Sequence, residues 1–345
     1  MIYRRLEKRM RKRMAAVVLA VCMALGGCGG EKAEEEPAAF TINGEEISLR
    51  EWNFYVRMNQ MQWEKDGLEL YGDGMWSRVS EEETGTTMAD RLKEEVLETI
   101  CQTHVACQHA EEYGVSLDEG RKQEIEERTE AFMGGYHEAL LDYAGADPEF
   151  VREKLSEREC SLLVAEAAVA DYEPDIPEED VHREGICYVL ISTTGLRDAQ
   201  GNLTPYTEEE VEERTLLAQT VCETAKESGN LKEAAEEAGL TPIEASMGRT
   251  NEGDGHEPRM LDAARLLAVG EISDPVWTEE GWFVVQHTSD YDQVGTDYWR
   301  EHLTELAREE EYKRILDGWM EEADIEIHQE VMDQVEVKIV LKELL

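Results

Sequence analysis

Cys101, His104 and Cys107 stand three residues apart, so in a helix they share one face and offer two sulfurs and an imidazole, donors suited to a soft metal. A structural zinc site takes about four well-placed ligands. No partner set for these three is visible in the sequence, so they read as core packing, and no metal or other cofactor is expected. Asn251, Glu252, Asp254 and Glu257 offer oxygen donors to calcium, but their spacing fits no EF-hand loop. HExxH, P-loop and nucleophile-elbow motifs are missing. Residue type and spacing alone therefore assign no catalytic residue.

Cys28 has a more specific context. It closes Leu25-Gly26-Gly27-Cys28, behind the apolar run Met14 to Ala24 and the basic residues Arg4, Arg5, Lys8, Arg9, Arg11, Lys12 and Arg13. The run is too short to span a bilayer, and polar Gly29-Gly30-Glu31-Lys32 follow at once. This order resembles a bacterial lipoprotein signal. Residues 1–27 would be removed and Cys28 lipidated, which places the protein on the extracytoplasmic face of a bacterial membrane, with residues 28–38 as an acidic tether. A plain cleaved secretory signal is the alternative.

Residues 1–27 hold seven of the 34 Lys and Arg and one of the 79 Asp and Glu, so the remainder carries 27 against 78, a net charge of −51. Such a field repels nucleic acid and anionic headgroups, which excludes nucleic acid as a partner and leaves the lipid as the route to the membrane. It would draw basic polypeptides or cations, although most of these carboxylates serve solubility. Beyond Cys22 and Cys28, the cysteines at 101, 107, 160, 187 and 222 are odd in number and show no CxxC spacing. They read as unpaired core thiols.

The elements that would position these residues change character along the chain. Ala39 to Ile42 reads as a strand, Asn43-Gly44 as a hairpin turn, and Ser48 to Glu51 as a capping box opening a helix with Trp52, Tyr55, Val56 and Asn59 on one stripe. Gly67 to Thr87 reads as a loop or insertion. Leu92, Val96, Ile100, His104 and Cys107 recur at helical spacing over 88–113, and Gly114 is the expected C-cap. Ser116 with Glu119, and Asp147 with Pro148, open further helices. Asp171 to Glu179 reads as a linker.

Beyond it, Ile186 to Ile191 is a buried strand and Thr193 to Tyr206 a loop. Amphipathic helices follow over 208–228, from Leu231 and over Met260 to Ala268, and Trp282 to His287 is a terminal strand. Strand, helices and strand within about 110 residues make an α+β domain around a small sheet. A long helix spans Thr296 to Met320, Ala323 to His328 is a short strand, and 329–345 fit no element. A solute-binding lipoprotein would show alternating strand–helix lobes, and the helical first half lacks them.

Leu261 to Val285, with its Gly270-Glu271-Ile272-Ser273 turn, Pro275-Val276 and Gly281, resembles the second half of a parvulin-type peptidyl-prolyl isomerase, and Ile186 to Ile191 with helix 208–228 resembles its first half. Phe40-Thr-Ile-Asn-Gly-Glu-Glu-Ile-Ser-Leu-Arg-Glu-Trp52 is similar to the N-terminal region of SurA/PrsA-type foldases. The resemblance implies a helical chaperone-like domain at 39–178, completed by a C-terminal helix and tail at 291–345, with a parvulin-like domain around a small antiparallel sheet inserted at 182–290. It implies unfolded or partly folded exported polypeptides as clients.

That family carries a histidine where this chain has Tyr188, and a second where it has Phe283. Its pocket phenylalanine falls on Met260 and its methionine on His256, while Leu240 to Met247 lack a counterpart to its second-helix region. Tyr188, Met260, Leu267 and Phe283 are thus the candidate peptide groove, with Tyr188 and Phe283 facing each other on adjacent strands. Rotating an X-Pro bond needs no covalent intermediate, only a pocket that favours the twisted amide. Isomerase turnover is therefore left open, and a peptide-binding domain with a degenerate isomerase site is preferred.

Overall fold

The computed structural model describes residues 36–197, 203–251 and 255–339. Cys28 and the candidate calcium ligands Glu252 and Asp254 lie outside the described residues. The fold is α+β. It divides into two compact units, one formed by residues up to Asp171 together with Glu310 onward, the other by Tyr172–Glu309.

In the first unit, β1 (Ala38–Ile42) and β2 (Glu45–Ser48) form a hairpin whose turn residues Asn43 and Gly44 both take positive φ, as a tight primed turn requires. The strand Ile325–Ile327 pairs antiparallel with the other edge of β1. Helix α1 (Leu49–Tyr71) is capped by the Ser48 hydroxyl, which accepts from the Glu51 N–H. The reciprocal half of that expected capping box is replaced, because the Glu51 side chain turns inward to His104 and Lys154.

Gly67 to Thr87 is not a loop. α1 runs through Gly67, whose missing side chain leaves room for Met75. A 3-10 turn at Gly72–Ser77 buries Met75 and Trp76, and a hairpin of β3 (Val79–Glu81) and β4 (Thr86–Thr87) follows. Helix α2 (Met88–Gln108), opened by a Thr87–Asp90 capping box, stops six residues before Gly114. Helix α3 (Glu119–Gly135) is capped by Asp118 rather than Ser116, since the aspartate accepts from the N–H three residues on. Helix α4 (Glu138–Ala144) precedes α5 (Pro148–Ala168), whose Asp147 cap and first-turn proline follow the sequence pattern.

Phe40, Ile42, Ile47, Trp52 and Val56 meet Leu92, Val96 and Ile100 in the main core of this unit. Met332 and Val335 of the tail are buried in the same core, so 329–339 are ordered packing where the sequence fitted no element. Trp319 stacks on His109 with ring centroids 4.1 Å apart.

The second unit opens with α6 (Glu178–Val181) and centres on an antiparallel sheet. Its middle strands are β5 (Glu184–Ser192) and β10 (Gly281–Ser289). Between them come a small hairpin, β6 (Gly195–Arg197) with β7 (Leu203–Pro205), inside the expected loop, then α7 (Glu208–Ser228) and α8 (Leu231–Glu237). Residues 243–247 form a strand, β8 (Ile243–Met247), which pairs with β5. Sequence pattern missed it because its alternation of Ile243, Ala245 and Met247 is short and carries only one large buried side chain, Met247. Helix α9 (Pro258–Ala264) is shorter than expected, and β9 (Val276–Trp277) completes the order β8-β5-β10-β9. The helix α10 (Gln293–Glu322) then contributes to both units.

Candidate functional site

The two faces of the second unit's sheet are sorted by strand alternation. Val189, Ile191 and Val284 pack with Val221, Ala225 and Leu231 of α7 and α8. Ile186, Tyr188, Phe283 and Val285 turn the other way, onto Met260, Leu261 and Ala264 of α9. Register pairs Phe283 with Leu190 and Val285 with Tyr188, so Tyr188 and Phe283 are diagonal neighbours rather than directly opposite. Their ring centroids lie 5.9 Å apart at 47°.

All four candidate groove residues come together in this cluster, and they fill it. Met260 is 0% exposed, Phe283 4% and Tyr188 9%, while Leu267 is half-buried at the edge. His256 stands edge-on to Tyr188, with centroids 5.6 Å apart at 66°. Burial pushes the Tyr188 phenol above its ordinary pKa, so it stays neutral. What this face offers chemically is an apolar wall with one phenol and a neighbouring imidazole, and no paired histidines at its centre.

Sequence reasoning passed over His287, which follows Phe283 and Val285 at period two on β10 and is buried. Its Nδ1 lies 2.9 Å from the Leu267 carbonyl oxygen and its Nε2 3.0 Å from that of Ser289, with a Glu184 carboxylate oxygen at 3.2 Å. His287 thereby ties the turn after α9 to the sheet. A polar residue placed in phase with an apolar stripe was the signal for it.

The Gly270-Glu271-Ile272-Ser273 turn lies along β10. The Gly270 N–H donates to the His287 carbonyl at 2.7 Å and the Ser273 N–H to that of Val285 at 2.8 Å. Gly281 has φ +140°, and a Cβ there would sit 2.3 Å from the Ile191 carbonyl oxygen, so only glycine starts this strand without strain.

Relatives match most of the chain. It is 20% identical over 353 residues to the foldase protein PrsA of Clostridium perfringens (strain 13 / Type A), covering 94% of this chain and 97% of that protein. It is 23% identical to PrsA of Clostridium botulinum (strain Langeland), covering 87% and 91%. The chain resembles PrsA-type foldases. A solved PrsA chain from Streptococcus pneumoniae superposes with a TM-score of 0.35 at 14% identity, covering 74% of this chain and 91% of that one, too loosely to carry a structural argument. No protein-family model matches the sequence.

The first unit of this PrsA-like chain holds a buried polar cluster that the sequence had reduced to core packing. Cys101 is core, as expected. His104, in contrast, sits between two carboxylates, with Nδ1 2.9 Å from Glu45 Oε1 and Nε2 2.9 Å from Glu51 Oε1. Two hydrogen bonds to ionised carboxylates require a proton on both ring nitrogens. Lys154 of α5 places Nζ 2.7 Å from both Glu51 Oε2 and Glu157 Oε1. Donor atoms of Glu51, His104 and Glu157 lie within 4.8 Å of one another, a set that could hold a metal. The Lys154 ammonium already supplies the cation there, so the cluster reads as an internal ion network. Its members come from three helices and strand β2, which is why no local spacing announced it.

Proposed function

We propose that this protein is a lipid-anchored extracytoplasmic foldase. In this reading it shields unfolded or partly folded exported polypeptides, and residues 182–290 keep a parvulin-type fold as a peptide-binding domain with a degenerate isomerase site. The observation that carries this is the apolar face of the sheet. Tyr188 and Phe283 stand where the parvulin pattern has histidines, and they pack on a fully buried Met260. Lowering a barrier of about 18–20 kcal/mol needs groups that favour the twisted amide over the planar one. A closed apolar cluster supplies burial but few such groups. The Leu25-Gly26-Gly27-Cys28 sequence supports the anchor, and relatives named as foldases support the client class.

The test pairs two assays on one preparation. Aggregation of a denatured client should be suppressed near stoichiometric protein, while a proline-containing peptide should isomerise at its uncatalysed rate. Catalytic acceleration at substoichiometric protein would make it a working isomerase, and absence of suppression would remove the chaperone role.

A further inference from the structure

Cys107 and Cys160 read as core thiols in the sequence, but both are only half-buried, one on each of two helices that pack together. α2 and α5 pack side by side, and a side-chain contact marks where along them. That contact is His104 Nε2 against Glu157 Oε2, 3.7 Å apart. One turn further along both helices, three residues on in each, stand Cys107 and Cys160. The Cys107 thiol donates to the Glu157 backbone carbonyl at 3.2 Å, which places its sulfur against the turn of α5 that ends at Cys160, close enough for the two thiols to influence each other's charge. Of the other described thiols, Cys101 is buried two turns back along α2, and Cys187 and Cys222 are buried in the second unit.

We infer that Cys107 and Cys160 form an oxidisable pair, a site at which a disulfide staples α2 to α5. The oxidant is a low-molecular-weight disulfide. The Cys160 thiolate attacks one of its sulfurs, forming a mixed disulfide and releasing the first thiolate. The Cys107 sulfur then attacks Cys160 Sγ, closing the Cys107–Cys160 bond and expelling the second thiolate. The two protons lost by the cysteines end on the two leaving thiolates, and the two electrons lost by the cysteine sulfurs reduce the oxidant disulfide to two thiols. The order follows from environment. Burial, the neighbouring Cys160 and the charges of Glu157 and Glu45 push the Cys107 thiol far above its ordinary pKa, so it resolves rather than initiates. The staple would also clamp the turn that carries His104 and Glu157.

The test uses the full chain in detergent, treated with oxidised glutathione, then alkylated and mapped by mass spectrometry without reduction. The expected result is a Cys107–Cys160 linkage within one chain, with thiol content lower by two per molecule. Cys107→Ser and Cys160→Ser should each abolish the linkage, leaving at most a glutathione adduct on the remaining cysteine. Alkylation of both thiols in the oxidised wild type would overturn the inference, as would linkage of either to Cys101 or to a second chain. Because the decisive measurement is made on the wild type, misfolding of a variant does not blur it.

Discussion

Phe283 is the side chain through which packing and binding are most tightly bound together. It is 4% exposed, lies diagonal to Tyr188 and covers the Met260 side of the sheet. Phe283→Ala should destabilise its unit by about 3–5 kcal/mol, the usual cost of emptying a buried aromatic site, and should weaken binding of proline-containing peptides through that loss of packing rather than through a lost contact. Denaturant melts must therefore accompany the binding titration. Weakened stability with undiminished peptide affinity would show that peptides bind elsewhere. The double change Tyr188→His with Phe283→His should leave isomerase turnover unchanged, because Met260 still fills the space a proline ring would enter. A clear gain in turnover would mean that only the polar groups were missing. At this scale the apolar face was legible because period-two alternation is local. His287 and the inward turn of Glu51 were not, because each is fixed by partners distant in sequence, the Leu267 carbonyl in one case and His104 with Lys154 in the other.

Between helices, the ion network makes the first unit sensitive to pH in a direction that can be worked out. Burial pulls the His104 pKa down, but the hydrogen bond to Glu51 and the charges of Glu51, Glu157 and Glu45 outweigh it, and the net shift is upward from 6.5. A raised histidine contributes fully below 6.5, and its contribution is lost as pH rises through the folded-state value. Glu157 acts in the same sense, its pKa raised from 4.5 by burial and by the Glu51 charge. Glu51 acts oppositely. Burial raises its pKa, but the His104 hydrogen bond and the Lys154 charge bring it below 4.5, so its stabilisation is lost as pH falls through that lower value. The melting temperature should therefore peak at about pH 4.5 and decline on both sides, the alkaline limb steepening above about 6.5 as His104 loses its proton. Removing one member of a buried pair costs about 3–5 kcal/mol, so His104→Gln should lower the curve and flatten its alkaline limb. An unchanged alkaline slope in that variant would place the titrating group elsewhere. Element ends were easier to read than this network. Ser48 and Asp147 cap helices through neighbours three residues away, as their spacing indicates. β8 and the ordered tail depend on long-range pairing and burial that no short window reveals.

At the scale of the whole molecule, the units divide between Asp171 and Tyr172, at the head of an acidic stretch that holds Pro174 and Pro177, and again between Glu309 and Glu310. The same scale carries the membrane question. With −51 on the chain beyond residue 27, anionic headgroups repel the protein, and no described helix is long and apolar enough to cross a bilayer. Under the proposed function, attachment then falls to acyl chains on Cys28, each buried CH₂ contributing about 0.8 kcal/mol. One chain binds only marginally, so stable retention takes more than one. Cys28→Ala should either release the protein from membranes or leave an unprocessed precursor of higher mass, and raised salt should not restore attachment. Fractionation of cells expressing the variant, with mass measurement of the product, checks this. A Cys28→Ala protein that is still processed and still sediments with membranes would show that something other than lipid on Cys28 holds it there, and the anchored part of the proposal would fall while the foldase part stood.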